Sequence, residues 1–245
     1  YSKNLMGLDK NYNTIKDNLF NKSLSNSLIF YGNKGVGKAT FFYKIVDDYF
    51  KKFDLNPNNN NTTLIYNNSH PNVLRIEKEY DDKSKKIKNN ISIDQIRKLH
   101  PFIRKSSINN LYKFIIIDSA DDFNKNSANG LLKLLEEPNK DTYIFLICHQ
   151  ISKVLPTIRS RCIKFNFISP KYENFKDIIL NFDPAIENNN IDFLFDISSG
   201  SPGLAIELYS NNILDFFYLL LEIFNEKKSL SGNILDLSNN TSKYN

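Results

Sequence analysis

Residues 27–45, SLIFYGNKGVGKATFFYKI, limit what this chain can fold into more than any other stretch. Leu28 to Tyr31 are four strand-type residues. They run into a loop holding Gly32, Gly35 and Gly37, and then into a helix-compatible segment beginning near Lys38. Glycine adopts positive φ and carries no Cβ, so the amides of such a loop turn inward and close around an anion at the helix N-terminus. The spacing Gly32-x4-Gly37-Lys38, set between a strand and a helix, is that of a phosphate cradle whose lysine reaches the outer phosphates. One position departs from it. The hydroxyl residue that should follow the lysine and hold Mg²⁺ is Ala39, with Thr40 one place late. The candidate nucleotide-binding residues are therefore Gly32, Gly35, Gly37, Lys38 and Thr40, and weak binding of ATP or ADP is expected.

A cradle of this kind belongs on a parallel α/β sheet, and the rest of the sequence supplies one. Lys113 to Asp118, KFIIID, is a nearly continuous apolar run, as expected of a central strand buried on both faces. Its terminal Asp118 emerges at the C-terminal edge of the strand, where open parallel sheets bind their ligands and where a P-loop protein places an aspartate that assists Mg²⁺. Val73 to Ile76 and Tyr143 to Cys148 read as further strands, and residues 156–167 pass from a helix-like turn into another. Helices are expected around Tyr12, Ile15 and Leu19, through Phe41 to Tyr49, and from Asn124 to Glu137, where Pro138 stops the run. Ser92 and Gln95 form a capping box that opens a helix carrying Ile93, Ile96, Leu99 and Ile103, which Pro101 kinks or ends. Residues 56–61 and the charged stretch 77–90 read as solvated loops. His70, His100 and His149 show no ligand-like pairing and read as surface or loop histidines. Pro170 marks a boundary, beyond which the chain turns to short amphipathic segments and a last apolar helix from Ile213 to Phe224.

At 245 residues the chain has room for two domains. A net charge of +5 permits contact with nucleic acid or an acidic partner without requiring either. No run approaches the ~18 apolar residues of a membrane span, so a membrane protein is not expected. Cys148 and Cys162 both lie in or beside apolar runs, as reduced core thiols do, so a cytoplasmic protein is expected. No C-x-x-C spacing occurs, so no zinc site is expected. The only methionine is Met6 and the first residue is Tyr1, which points to a lost start or a fragment.

Residues 128–138, ANGLLKLLEEP, and 157–162, TIRSRC, carry the chain's most specific resemblance, which is to the clamp-loader branch of the AAA+ family. The first resembles that family's NALLKxLEEP helix and the second its Ser-Arg-Cys signature. Leu5-Met6-Gly7, His70-Pro71-Asn72 and residues 200–204 add weaker agreement with its opening box, its HPD segment and its second-sensor turn. The resemblance implies a P-loop AAA+ domain with a central parallel sheet over residues 1–168, a small helical lid over 169–210, and the incomplete start of a helical collar over 211–245.

It also implies which parts of an ATPase are missing. Active subunits of the family follow the strand-end aspartate with a glutamate that orients water, and this chain has Ser119. They place an arginine in the lid turn, and here Leu204 stands there. With Ala39, three groups of the phosphoryl-transfer apparatus are replaced, which leaves little basis for hydrolysis. Arg161 in the Ser-Arg-Cys motif survives, at the position the family uses as a finger in a neighbouring subunit's ATP site. A guanidinium suits that role because it stays charged and spreads its donors in a planar fork. A local salt bridge to a strand-edge carboxylate is the alternative role for Arg161. The expected protein is a non-hydrolysing loader subunit, working with gamma/tau-type and delta-type subunits, the sliding clamp and primer-template DNA in replication. An active motor subunit of the same fold and an unrelated P-loop kinase are the alternative readings.

Overall fold

The computed structural model describes residues 7–54, 60–82 and 85–225. Several expectations fall at least partly outside these residues: the opening box at Leu5 and Met6, most of the asparagine-rich loop, and the polar segment from 226 onward. Contacts divide the chain into two compact units, Tyr1–Ile168 and Ser169–Asn245.

In the first unit, five strands form an all-parallel sheet: β1 (Ser27–Tyr31), β2 (Val73–Glu77), β5 (Lys113–Asp118), β6 (Thr142–Cys148) and β7 (Ile163–Asn166), in the order β2-β5-β6-β1-β7. Its helices are α1 (Asp9–Phe20), α2 (Lys38–Phe53), α3 (Asn61–Tyr66), α4 (Ile93–Arg97), α5 (Leu99–Arg104), α6 (Lys125–Glu136) and α7 (Pro156–Arg159). Because side chains alternate along a strand, the central strands are apolar on both faces. Leu28, Phe30, Phe114, Ile116, Tyr143 and Phe145 join one core with α1 and α2. Ile29, Ile115, Ile117, Ile144 and Leu146 join the other, beneath α4 and α6. An α/β sheet layered by helices is thus what the buried runs dictate.

Three local expectations are corrected. Residues 77–90 are not a plain loop, because β3 (Tyr80–Asp81) and β4 (Lys86–Ile87) form a small antiparallel hairpin there, tied by Lys88 N–H to Glu79 O at 2.9 Å. The polar loop ends in helix α3, which its one buried residue, Ile65, anchors, together with Thr62 Oγ1 donating to Asp47 at 2.5 Å. The helix opened by Ser92 breaks at Lys98, before Pro101 rather than at it. The proline has no N–H to give the Arg97 carbonyl, and it is tolerated in the first turn of α5.

In the second unit, α8 (Tyr172–Phe182), α9 (Asn188–Ile197), α10 (Pro202–Ser210) and α11 (Ile213–Asn225) surround Phe175, Ile179, Ile191, Leu194, Ala205 and Leu214. Gly200 has φ +68°, and a Cβ there would meet the Phe195 ring at 3.1 Å. Leu204 is a half-buried residue of α10. Among the described residues, no single helix is long and apolar enough to cross a membrane.

Candidate functional site

The sheet order decides what meets at its C-terminal edge. β6 lies between β1 and β5, with Tyr31 beside Cys148 and Asp118 beside Ile147. The residue that follows β6, His149, therefore emerges between the glycine loop and Asp118.

The loop leaves β1 at Gly32, whose φ is +143°, and a Cβ there would stand 1.9 Å from the Phe167 carbonyl oxygen. No other residue fits without moving β7's end. Gly35 (φ 84°) and Gly37 (φ 94°) are also left-handed, and Gly37 is the N-cap of α2. The turn thus delivers Lys38 as the first residue of the helix, buried with 3% of its surface exposed. Its Nζ donates to Gly32 O at 2.6 Å, to Asn33 O at 2.7 Å and to His149 Nδ1 at 3.1 Å.

An ammonium only donates, so Nδ1 accepts, and the proton of the neutral imidazole sits on Nε2. Nε2 lies 3.2 Å from Ser119 Oγ and donates to it. Asp121 Oδ2 accepts from the backbone N–H of both His149 and Gln150 at 3.0 Å, which pins the end of β6. Burial pushes the Lys38 ammonium down to about 8 against the opposing pull of Asp118, Cys148 and Asp121. Burial and the Lys38 charge both hold His149 below its ordinary value, so the ring stays neutral. The Cys148 thiol is raised to about 12 by burial, which makes it an inert core group.

The structure thus brings together Gly32, Gly35, Gly37, Lys38 and Asp118 at one sheet edge. Thr40 sits two residues past Lys38 on α2, and at 3.6 residues per turn it is rotated roughly 100° from the place Ala39 occupies. The loop backbone suits a phosphate, whereas the Mg²⁺-holding hydroxyl of this loop type is absent from its place. Among the described residues, no group of three or more His, Cys, Asp or Glu side chains could hold a metal ion.

Arg161 follows α7. Its Nη2 pairs with Glu136 Oε1 at 2.8 Å, and its Nη1 donates to Thr157 O at 2.8 Å. The carboxylate belongs to the last turn of α6, not to a strand edge. Both side chains are substantially exposed, 35% for Arg161 and 48% for Glu136.

The model for the family described as DNA polymerase III, delta subunit, matches residues 7–171, more than half of the chain. The chain belongs to this family. Its relatives include the DNA polymerase III subunit delta' of Pseudomonas aeruginosa, 32% identical over 150 residues, or 61% of this chain and 44% of the relative. The delta' subunit of Bacillus subtilis is also 32% identical, over 65% of this chain and 46% of its own length. The chain therefore spans less than half the length of these relatives. A gamma-subunit-related DNA polymerase III protein from Thermotoga maritima shares the fold, with a TM-score of 0.50 and 20% identity over 93% of this chain and 69% of the other.

Two residues of the site escaped the reading of the sequence. His149 is half-buried at the cradle and is no stray loop histidine, while His70 is buried elsewhere in the first unit. The available signal for His149 was its position, first after a buried run that had to be a central strand. Glu136 was legible only as a motif letter, because its partner lies 25 residues downstream in sequence.

Proposed function

We propose that the chain is a non-hydrolysing subunit of a DNA polymerase III clamp loader, with Arg161 acting in trans on a neighbouring subunit's ATP site. Membership of the family supports the replication role. The loader partners (gamma/tau-type and delta-type subunits, the sliding clamp, primer-template DNA) and a cytoplasmic location follow from the same reading. The observation that carries the first half is the state of Ser119. It stands where an active subunit needs a water-activating carboxylate, and it accepts a hydrogen bond from His149 instead. A neutral serine held in this way has no basicity to lend to an attacking water.

Arg161 supports the second half. Its ion pair with Glu136 lies at the surface, where such pairs contribute roughly 0–1 kcal/mol, so a phosphate can draw the guanidinium away at small cost. Residues 169–210 serve as the lid and residues from 211 as the start of a collar. The lid offers Leu204, with no charge to bring to a phosphate.

The test is ATP hydrolysis by the purified chain, alone and mixed with the other loader subunits. Alone, turnover stays at background. A rate of even ~1 per second, the low end for competent enzymes, contradicts the reading.

A further inference from the structure

We propose that His149 is a built-in competitor for phosphate: it holds Lys38 turned back onto its own loop, and so sets how tightly the cradle takes a nucleoside polyphosphate. The ammonium has three N–H groups, and each already has an acceptor: the Gly32 carbonyl, the Asn33 carbonyl and the His149 ring. A phosphate entering the loop must take at least one of these donors. The two carbonyls belong to the loop that holds Gly32, Gly35 and Gly37, and glycine's wide range of φ and ψ is what lets a turn of this kind adjust around an anion.

His149 is fixed from several sides. Ser119 Oγ receives its Nε2 proton, Asp121 receives its backbone N–H, and Cys148 just before it pairs with Tyr31 in the sheet. The rigid arm of the contact is therefore the histidine. Ser119 acquires a function from this arrangement, since by accepting from Nε2 it keeps the ring in the tautomer whose Nδ1 faces Lys38. One departure from an active ATPase site, Ser119, thus joins His149 in a device that occupies the phosphate-reaching lysine. The inference rests on residues 32–40 being a phosphate cradle. It does not rest on Arg161, and it needs no other subunit.

The experiment is calorimetric titration of the purified chain with ADP, without Mg²⁺, for wild type, His149→Ala, Ser119→Ala, and each combined with Lys38→Ala. His149→Ala is expected to tighten ADP about tenfold, the scale of one hydrogen bond to a charged group. Ser119→Ala tightens it by a smaller factor, because the ring keeps its acceptor and loses only its orientation. Lys38→Ala removes the gain in both backgrounds. Should His149→Ala fail to fold, judged by its circular dichroism, Ser119→Ala decides alone. The proposal is overturned if the folded variants bind ADP no tighter than wild type. It is also overturned if the gain survives Lys38→Ala, or if no variant binds ADP up to millimolar concentration. A failed arginine finger would leave all these binding constants unchanged, so the two ideas fail separately.

Discussion

His70 is a residue whose chemistry burial alone decides. Its ring packs on Phe50 with centroids 4.2 Å apart; Nδ1 accepts from Asn72 N–H at 3.1 Å, and Nε2 lies 3.2 Å from Asn61 Oδ1. Burial lowers its pKa to about 4, with Asp54 pulling weakly the other way. In the unfolded chain the group titrates near 6.5, so between these values the unfolded state binds more protons. Stability is then fully present above about pH 6.5 and falls as the pH drops toward 4. Denaturant unfolding should show about 2 kcal/mol lost to this residue between pH 7.5 and pH 5. His70→Gln should lack that part of the slope, and an equal slope in the variant would contradict the assignment.

At this scale the geometry of the glycine loop was legible in the sequence. Gly32, Gly37 and Lys38 lie within seven residues, so local spacing alone encodes them. His149 is 111 residues from Lys38, and only the insertion of β6 between β1 and β5 joins them. Sheet order is not written in any one segment, which is why the ring read as an unpaired histidine.

Elements were legible where burial is repetitive and hidden where a few contacts decide. The runs in β5 and β6 announce themselves because both faces are packed, and the capping box at Ser92 forms as its residues require, with Gln95 N–H donating to Ser92 Oγ at 3.3 Å. The break at Lys98 was displaced from its expected place because a proline disturbs the turn before it. The end of α5 depends on a residue outside it: the buried Lys113 ammonium donates to the Phe102 carbonyl at 2.8 Å and the Ile103 carbonyl at 3.1 Å, capping the helix from the start of β5.

Gly130 gives this scale its prediction. It lies inside α6, where glycine costs about 1 kcal/mol relative to alanine, and an added Cβ would meet the Cδ1 methyl of Ile93 at 2.5 Å and the Cγ2 methyl of Ile96 at 3.6 Å. The Ile93 methyl ends a flexible, half-buried side chain on α4 and can rotate away, and the contact with the buried Ile96 is an ordinary van der Waals distance. Gly130→Ala should therefore raise stability by about 0.5 kcal/mol, the helix gain less the repacking of one methyl. A thermal melt with a lower midpoint than wild type would show that α4 and α6 have no room to adjust.

At the scale of the whole molecule, the first unit carries both a cradle turned in on itself and an arginine at its surface. Of Lys38 and Arg161, the arginine holds its charge in an exposed ion pair that can be exchanged at the smaller cost. The two stretches that carry the chain's most specific resemblance meet in that arginine's ion pair, since Glu136 closes the helix of residues 128–138 and Arg161 lies in residues 157–162. This pairing was not readable in the sequence, although each motif was, because a motif names residues and not the contact between them. If the finger acts in trans, the loss of Arg161 harms a site to which this chain contributes no phosphate loop.

The direct measurement is the DNA- and clamp-stimulated ATPase of an assembled loader containing Arg161→Ala, set beside the melting temperature of the isolated variant. The account predicts an unchanged melt, a severalfold fall in loader ATPase, and poor rescue by Arg161→Lys, whose point charge lacks the fork. Fingers of this kind are worth up to ~10³–10⁵ in rate at one site, and a ring with other intact sites shows less. A variant that melts earlier while the assembled loader keeps its full ATPase would make Arg161 the structural partner of Glu136 and nothing more.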